Sequence, residues 1–390
     1  MAAACARSTR TAYSVPRVIA SRLAGFGTTI FTEMSALAEQ TGAINLGQGF
    51  PDEDGPRAVL EAAQAAIRDG RNQYAPLPGV PALREAIAEH QRRFYGIELD
   101  PASQVQVTMG ATEAIAAALL GLCEPGEDVL AFDPYYDSYP AAAAMAGARF
   151  VPIPLQPPEF TFEDFVVPPK ARVIIVNSPH NPTGRVLRRE ELQRLADLVI
   201  EHDLIAITDE VYEHLVFDGL EHIPLSTLPG MAERTLSISS LGKTFSVTGW
   251  KVGWATGPQP LVAAVRAAKQ FLTFAGATPF QHAGAAALRL NDDWYRAFAS
   301  ELEAKRNHLC DAFGHFTVAR PQGTYFANVD VGTNAVEFAR ELPYKAGVVA
   351  IPTSVFSADP QRLAPYLRFA FCKRLPVIDE AARRLHALES

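Results

Sequence analysis

Lys243 lies in the stretch SISSLGKTFSVTGWK, residues 237–251, and the Gly-Lys-Thr triplet around it is the sequence with which a nucleotide-binding P-loop ends. A P-loop also needs a glycine five residues before the triplet, but that position is Ser237. The preceding residues, TLSISS, alternate β-branched or apolar side chains with hydroxyl side chains, which predicts a strand ending in a tight turn. The sequence therefore places a lysine at the end of a strand and argues against a P-loop nucleotidase.

Other polar side chains also follow predicted strands. Asn177 and Asn181 come at and after the end of RVIIVNS, and Asp209 ends LIAITD. Ligands bind at the carboxyl ends of the strands in open α/β sheets, so these side chains are expected to share one site with Lys243. Taken singly, each has an ordinary structural explanation: a surface lysine, an aspartate that caps a helix in TDEVY, and an Asn-Pro turn.

The elements that must position these residues alternate between helix and strand from about residue 55, a pattern typical of a mostly parallel sheet covered by helices. The predicted helices are PRAVLEAAQAAIRDG, PALREAIAEHQRRFYG, ATEAIAAALLGLC and REELQRLADLVIEHD. The predicted strands are VQVTM, DVLAF, RFVPIPL, RVIIVNS, LIAITD, TLSIS and KVGWAT. The proline-rich LQPPEFTFEDFVVPPK is predicted to be a loop.

A second, smaller α+β domain is predicted after about residue 290. There the amphipathic DDWYRAFASELEAKRNHLCDAFGH is followed by the strand YLRFAFC and the helix VIDEAARRLHAL. The predicted organisation is an N-terminal extension at 1–30, a segment at 31–54 that packs with the small domain, a large domain at 55–289 and the small domain at 290–390.

The composition limits the classes of function. The chain has 390 residues, a net charge of −8 and no dense basic run, so no nucleic-acid partner is expected. No apolar run reaches the roughly 18 residues of a membrane span. The four cysteines form no C-x-x-C pair, so neither a disulfide framework nor a metal site is predicted, and a cytoplasmic location is expected. Four arginines and no acidic residue precede Glu33, as in organelle transit peptides, but a poorly ordered extension is the preferred interpretation.

Eight stretches occur in the order in which one enzyme family carries them. They are NLGQGFPD, NQYAPLPGVPALREAIA, GATEA, DPYYDSY, NSPHNPTG, ITDEVYEHL, SSLGKTFSVTGWKVGW and LRFAFCKR. Together they make the chain resemble the fold-type I pyridoxal 5'-phosphate (PLP) enzymes, specifically the class I and II aminotransferases, from about Phe31 to the C-terminus. The resemblance implies a mostly parallel seven-stranded sheet sandwiched by helices in a large PLP-binding domain, with a smaller α+β domain beside it.

The resemblance also implies roles for individual residues. Lys243 would bond covalently to the cofactor aldehyde and afterwards carry the α-proton. Asp209 would face the pyridine nitrogen and keep the ring protonated, which makes it electron-withdrawing. Asn181 and Tyr212 would hydrogen-bond the ring oxygen of the cofactor, and Tyr136 would stack on its face.

The cofactor phosphate is expected at the N-terminus of the helix that begins at GATEA, where the free amides of Ala111 and Thr112 favour an anion. Ser240 and Lys251 would complete this site. Much of the family has arginine in place of Lys251, so a point charge here replaces a two-pronged contact. Tyr74 would reach the phosphate of a neighbouring subunit, which implies a homodimer with shared active sites.

For the substrate, an amino acid or a 2-oxo acid, the resemblance implies that Arg368 holds the α-carboxylate in a bidentate pair. Gly49 would let the backbone approach that carboxylate. The other candidates for the substrate pocket are Asn181 and the aromatic residues Phe31, Phe50 and Tyr325. The sequence identifies no residue that would bind a second carboxylate or a succinyl amide.

The expected reaction is transfer of an amino group from glutamate to an oxo acid. NLGQGFPDEDGP, SPHNPTG and TDEVYEHLVF are most similar to N-succinyldiaminopimelate aminotransferases of the actinobacterial type. This resemblance predicts N-succinyl-2-amino-6-oxopimelate, in lysine and diaminopimelate biosynthesis, as the acceptor. Some of these stretches also occur in glutamine, kynurenine and methionine aminotransferases, so aromatic or methionine substrates stay open.

Two other classes of protein use the same cofactor fold. A cysteine-conjugate β-lyase would use the same lysine and aspartate but eliminate from the β-carbon, and only product analysis separates it from an aminotransferase. A PLP-binding regulator would need a fused DNA-reading domain, for which the segment before Phe31 is too short.

Overall fold

The structure is a computed structural model, and it describes residues 19–27, 30–314 and 316–389. The extension predicted at 1–30 falls mostly outside these ranges. The helices are α1 Ile30–Thr41, α2 Arg57–Arg68, α3 Pro81–Tyr95, α4 Gly110–Leu122, α5 Ser138–Ala146, α6 Arg189–Glu201, α7 Leu241–Thr244, α8 Gln259–Leu272, α9 Thr278–Leu288, α10 Asp292–Asp311, α11 Ala335–Lys345 and α12 Leu375–His386. The strands are β1 Ile44–Asn45, β2 Val105–Met109, β3 Asp128–Asp133, β4 Arg149–Gln156, β5 Thr161–Phe162, β6 Ala171–Asn177, β7 Ile205–Asp209, β8 Thr235–Ser240, β9 Val252–Thr256, β10 Thr317–Ala319, β11 Phe326–Asp330, β12 Val348–Val349, β13 Ile351–Pro352 and β14 Tyr366–Ala370.

The central sheet is mostly parallel, as the sequence predicts. Its strand order is β2-β9-β8-β7-β6-β3-β4-β5. Strands β3, β4, β6, β7 and β8 pair in parallel, whereas β9 is antiparallel to both of its neighbours, β2 and β8.

The seven predicted strands all form in the central sheet, and a short eighth strand extends the sheet at one edge. The additional strand is β5, which pairs antiparallel with β4 through two residues inside the stretch predicted to be a loop. Prolines, which cannot donate to a strand ladder, flank this pairing and argue against a strand. The sequence around β5 also has no alternation of apolar residues that would predict one.

Both faces of the sheet are covered by helices, and the reason is visible in β6. Its side chains alternate between two apolar clusters: Val173 and Ile175 pack among residues of α4, α5 and α8, while Ile174 and Val176 pack among residues of α6. A strand that is buried on both faces needs a continuous apolar run, and VIIV, residues 173–176, supplies it. Burial of this run fixes the position of the polar residues that follow it.

The polar ends of the strands meet at one edge of the sheet. Asn177 and Asp209 are paired in register across β6 and β7, and Ser240 is paired with Gly253 across β8 and β9. β2 turns directly into α4 at Gly110, whose positive φ of 74° favours glycine. The sheet therefore brings the distant polar motifs of the sequence to one place.

The C-terminal part of the chain forms a separate antiparallel sheet with the order β10-β11-β14-β13. β1 pairs in parallel with β12, and Met34 and Ala38 of α1 pack in the same apolar cluster as Ala339 and Leu342 of α11. The segment after Ile30 is thus attached to the C-terminal part. Among the helices of the described ranges, none combines the length and the apolar character that a membrane crossing requires.

Candidate active site

A cavity opens where the strands of the central sheet end. The turn between β2 and α4 forms one wall, and the ends of β6, β7 and β8 form the floor. The predicted site residues that line it are Ala111, Thr112, Tyr136, Asn181, Asp209, Tyr212, Ser240, Lys243 and Lys251. The structure thus brings most of the residues predicted to bind the cofactor into one cavity.

Lys243 projects from α7, the single turn that follows β8. Its Nζ lies 5.9 Å from the ring centroid of Tyr212 and 5.7 Å from that of Tyr325. Burial lowers the pKa of Lys243 to about 8, although the nearby Cys372 and Asp209 act in the opposite direction. With this pKa, about a tenth of the lysine is an uncharged, nucleophilic amine at pH 7, far more than for an ordinary lysine.

Asp209 ends β7 and is only 4% exposed. Its Oδ2 accepts a hydrogen bond of 2.7 Å from the hydroxyl of Tyr139, and its Oδ1 accepts a longer one, 3.4 Å, from the amide of Val211. Burial raises the pKa of Asp209 to about 6, while Tyr139, the Val211 amide and Lys243 lower it. The residues after Asp209 form turns and no helix, so the alternative that this aspartate caps a helix is wrong.

Asn177 connects two of the loops that carry site residues. Its Oδ1 accepts from the backbone amide of Asn181 at 2.7 Å, and its Nδ2 donates to the backbone carbonyl of Asp209 at 2.7 Å. The side chain of Asn181 in turn accepts a hydrogen bond of 3.0 Å from Arg368. These contacts fix Asn181 between the cofactor residues and the predicted carboxylate-binding arginine.

One end of the cavity carries uncompensated positive charge. Ala111 and Thr112 begin α4, so their amides lie among the free donors of a helix N-terminus, and the Thr112 side chain is hydrogen-bonded to Tyr136. Lys251 has a left-handed backbone with φ 53°, and a Cβ added at Gly110 would lie 3.2 Å from its Nζ. No described carboxylate pairs with Lys251, so this end suits an anion.

Arg368 lies on β14 and is 3% exposed. Its guanidinium carbon lies 4.0 Å, 4.5 Å and 5.6 Å from the ring centroids of Phe326, Phe356 and Phe31, respectively. Burial lowers the pKa of Arg368 to about 10, which still leaves it charged at neutral pH. Its Nε is buried without a hydrogen-bond partner, so the arginine keeps a donor for an incoming carboxylate.

Gly49 and Tyr325 lie beside this arginine. The Tyr325 hydroxyl donates a hydrogen bond of 2.7 Å to the carbonyl of Gly49. A Cβ added at Gly49 would lie 2.3 Å from the Phe326 ring, so packing against that ring is sufficient to require glycine here. The predicted approach of the Gly49 backbone to a substrate stays a prediction.

Besides Arg368 and the residues beside it, Gly49, Phe31 and Tyr325, two further predicted residues do not line the cavity of the single chain. Phe50 is 46% exposed, and its carbonyl and ring contact the ammonium group of Lys373. Tyr74 is 82% exposed, and its ring contacts Phe274. Their predicted roles, at the substrate pocket and across a subunit boundary, have no contact in this structure to support or oppose them.

Sequence reasoning missed Tyr139 as a member of the site, and it placed Asn177 there without assigning it a role. Tyr139 is the last residue of DPYYDSY and lies one turn beyond Tyr136, so its motif was a usable signal. Asn177 ends an apolar strand at the edge where ligands bind, and this signal is the one that predicts its place in the site. The contact of Tyr139 with Asp209 spans 70 residues and has no local signature.

Comparison with known proteins agrees with this geometry. The family model described as "Aminotransferase class I and II" matches residues 41–385. A probable N-succinyldiaminopimelate aminotransferase of Mycobacterium tuberculosis is 50% identical over 94% of this chain and 98% of its own length. The solved structure of N-succinyldiaminopimelate aminotransferase from that organism has a TM-score of 0.91 at 51% identity, over 95% of this chain and 100% of that one. A solved Escherichia coli structure with a methionine aminotransferase function has a TM-score of 0.92 at 42% identity, over 95% and 100%.

Proposed function

The chain belongs to the class I and II aminotransferases, and from this premise we propose that it is a PLP-dependent N-succinyldiaminopimelate aminotransferase. Glutamate is the proposed amino donor, and N-succinyl-2-amino-6-oxopimelate of lysine and diaminopimelate biosynthesis is the proposed acceptor. The observation that best supports this substrate is the 50% identity to the Mycobacterium tuberculosis relative, which extends over nearly the full length of both chains. The identities to the methionine and kynurenine enzymes, 42% and 36%, are lower.

The cavity has the charges that PLP requires at each of its ends. The amides of Ala111 and Thr112, the Ser240 hydroxyl and the unpaired Lys251 would hold the phosphate. At the opposite end, the buried Asp209 would face the ring nitrogen, and Lys243 would bond to the aldehyde. When bound, the cofactor supplies a carbonyl that takes up the amino group and a ring that withdraws electrons from the carbon being deprotonated.

The remaining steps belong to the protein. Arg368 would bind the α-carboxylate and thereby fix which bond of the substrate faces Lys243. Once the substrate amine has replaced it at the aldehyde, the free amine of Lys243, whose pKa lies near 8, would take up the α-proton and deliver it to the cofactor side of the substrate nitrogen. The rings of Tyr212 and Tyr325 lie beside the Lys243 amine, so the proton would be transferred next to two buried aromatic side chains.

A homodimer with shared active sites is also proposed. The part of the surface that would face a second subunit is apolar: Tyr74, Phe271, Leu272 and Phe274 are 82%, 84%, 50% and 43% exposed. Large exposed apolar residues in one region are typical of protein interfaces. Mixing inactive Tyr74 and Lys243 variants in exchanged heterodimers should restore some activity, and a failure to do so would remove the shared site.

The cellular context and the domain limits are proposals of the same kind. The described cysteines, Cys123, Cys310 and Cys372, are free and buried, which supports a reducing cytoplasm. The pairing of β1 with β12 supports assigning 31–54 to the small domain at 290–390 and leaving 55–289 as the PLP-binding domain.

The substrate is tested by comparing kcat/KM for the N-succinylated acceptor with kcat/KM for the oxo acids of kynurenine, methionine and the aromatic amino acids. We expect the N-succinylated acceptor to be the best, because a site built for polar distal groups rejects substrates that leave its buried donors unpaired. A clear preference for a methionine or aromatic substrate would refute the substrate assignment and leave the aminotransferase intact. Release of pyruvate and ammonia from a cysteine conjugate, without transamination, would instead favour the lyase.

A further inference from the structure

Glu113 lies in the first turn of α4 and is only 9% exposed. Its Oε2 accepts a hydrogen bond of 2.6 Å from the backbone amide of Met109, the residue that precedes the helix. The bond joins residues four apart, and by accepting from the N-cap amide Glu113 fixes how the chain enters the helix. The amides of Ala111 and Thr112 follow directly, so Glu113 controls the direction in which they point.

The carboxylate of Glu113 also creates an electrostatic problem. It places a negative charge within one turn of the amides that would bind a phosphate, and charges of the same sign repel strongly where solvent is excluded. Lys269 of α8 balances this charge: it is 2% exposed, and its Nζ lies 3.2 Å from Oε2 of Glu113.

Thr273 closes a ring of three side chains. Its hydroxyl accepts a hydrogen bond of 2.8 Å from Nζ of Lys269 and donates one of 2.5 Å to Oε1 of Glu113. Both oxygens of the carboxylate are therefore occupied, and the side chain is held in one orientation. The ring connects the entrance of α4 to the C-terminal turn of α8 and the residue after it.

We propose that Glu113 is a positioning residue for the phosphate-binding amides of α4, and that Lys269 makes this possible by cancelling the charge of Glu113. The inference rests on the proposed PLP function and adds to it two residues that have no predicted contact with the cofactor. Loss of Lys269 would leave a buried carboxylate beside the phosphate. The effect would fall on ligands that carry a phosphate and spare those that do not.

The test compares the dissociation constants of PLP and of pyridoxal, which has the same aldehyde and no phosphate, for protein freed of cofactor. Lys269→Met should raise the Kd of PLP at least tenfold, which corresponds to about 1.4 kcal/mol, and change the Kd of pyridoxal by less than threefold. The double variant Glu113→Gln/Lys269→Met removes both charges and should recover most of the PLP affinity. Lys305→Met is the matched control, because Lys305 is equally buried but pairs with Glu301 and Glu53.

The inference is overturned if Lys269→Met binds PLP like the wild type, or if it loses affinity for PLP and pyridoxal equally. Should Lys269→Met fail to fold, Thr273→Val decides the question without a change of charge. It should lower the preference for PLP over pyridoxal at least threefold, and an unchanged preference would refute the role of the ring. A wild-type protein with no preference for PLP over pyridoxal and no transaminase activity would instead refute the proposed function.

Discussion

Replacing Asp209 by asparagine should stabilise the cofactor-free protein while it abolishes most of the activity. The carboxylate is 4% exposed and has two hydrogen-bond donors, but the cavity has no cation close enough to form an ion pair with it among the described residues. Asparagine can still accept the hydrogen bond from Tyr139, so the substitution removes the charge and keeps the shape. The charge of Asp209 would instead serve the cofactor, whose protonated ring needs a negative partner.

The magnitude follows from the pKa of Asp209. The pKa rises from 3.8 in an ordinary aspartate to about 6 in the folded protein. Above pH 7, ionisation of Asp209 therefore lowers the free energy of unfolding by about 3 kcal/mol. The folded-state pKa of Asp209 lies above the unfolded one. The stability that the protonated carboxyl gives the wild type is therefore fully present below pH 3.8 and is lost as the pH rises through 6. The advantage of Asp209→Asn should therefore be largest at pH 7 to 8 and should fall by about half at about pH 5.

Urea unfolding of the cofactor-free proteins, at one protein concentration and from pH 5 to pH 8, measures this difference. Asp69→Asn, at an exposed position at the end of α2, is the control for a general effect of losing one charge. In the presence of PLP the order should reverse, because only the carboxylate pairs with the protonated ring. An Asp209→Asn protein that is less stable than the wild type at every pH would refute the reasoning and indicate that the carboxylate supports the fold.

Three further outcomes are expected. The rate at which PLP forms its covalent bond with the protein should rise with pH around pH 8, because burial lowers the pKa of Lys243 to about 8; a midpoint near 10 would show that the amine is not buried in this way. Tyr139→Phe should lower kcat about threefold to tenfold and shift the pH profile of kcat to higher pH, because Asp209 loses a donor that stabilises its charge. Tyr135→Phe, in the same motif, is the control and should change neither kcat nor its pH profile. Arg368→Lys should lower kcat/KM for all substrates alike by about a hundredfold, because all of them share the α-carboxylate; an effect confined to one substrate would place Arg368 at the distal group instead.

The sheet could be predicted from sequence because its strands carry strong local patterns. VIIV, residues 173–176, is apolar throughout, and the structure buries its alternate residues on opposite faces of β6. α9, TPFQHAGAAAL, is not predicted by the sequence reasoning, since its many small residues form no apolar stripe of helical period. β5 could not be predicted because two paired residues beside prolines are too few to show a period.

The site could be predicted only in part, because its residues come from distant parts of the chain. The motifs around Asp209 and Lys243 end strands, so their common position follows from the rule for open sheets. The aromatic enclosure of Arg368 does not follow from any rule, since Phe31, Phe326 and Phe356 belong to separate elements.

A single-turnover experiment tests the central claim most directly. Protein loaded with PLP and given glutamate alone should release one equivalent of 2-oxoglutarate per active site and no ammonia, and subsequent addition of the N-succinylated acceptor should yield one equivalent of its amine. Lys243→Ala should release none, since no other described lysine, aside from Lys251 at the opposite end, lines the cavity. Continuous release of ammonia, or full turnover by Lys243→Ala, would contradict an aminotransferase that works through Lys243.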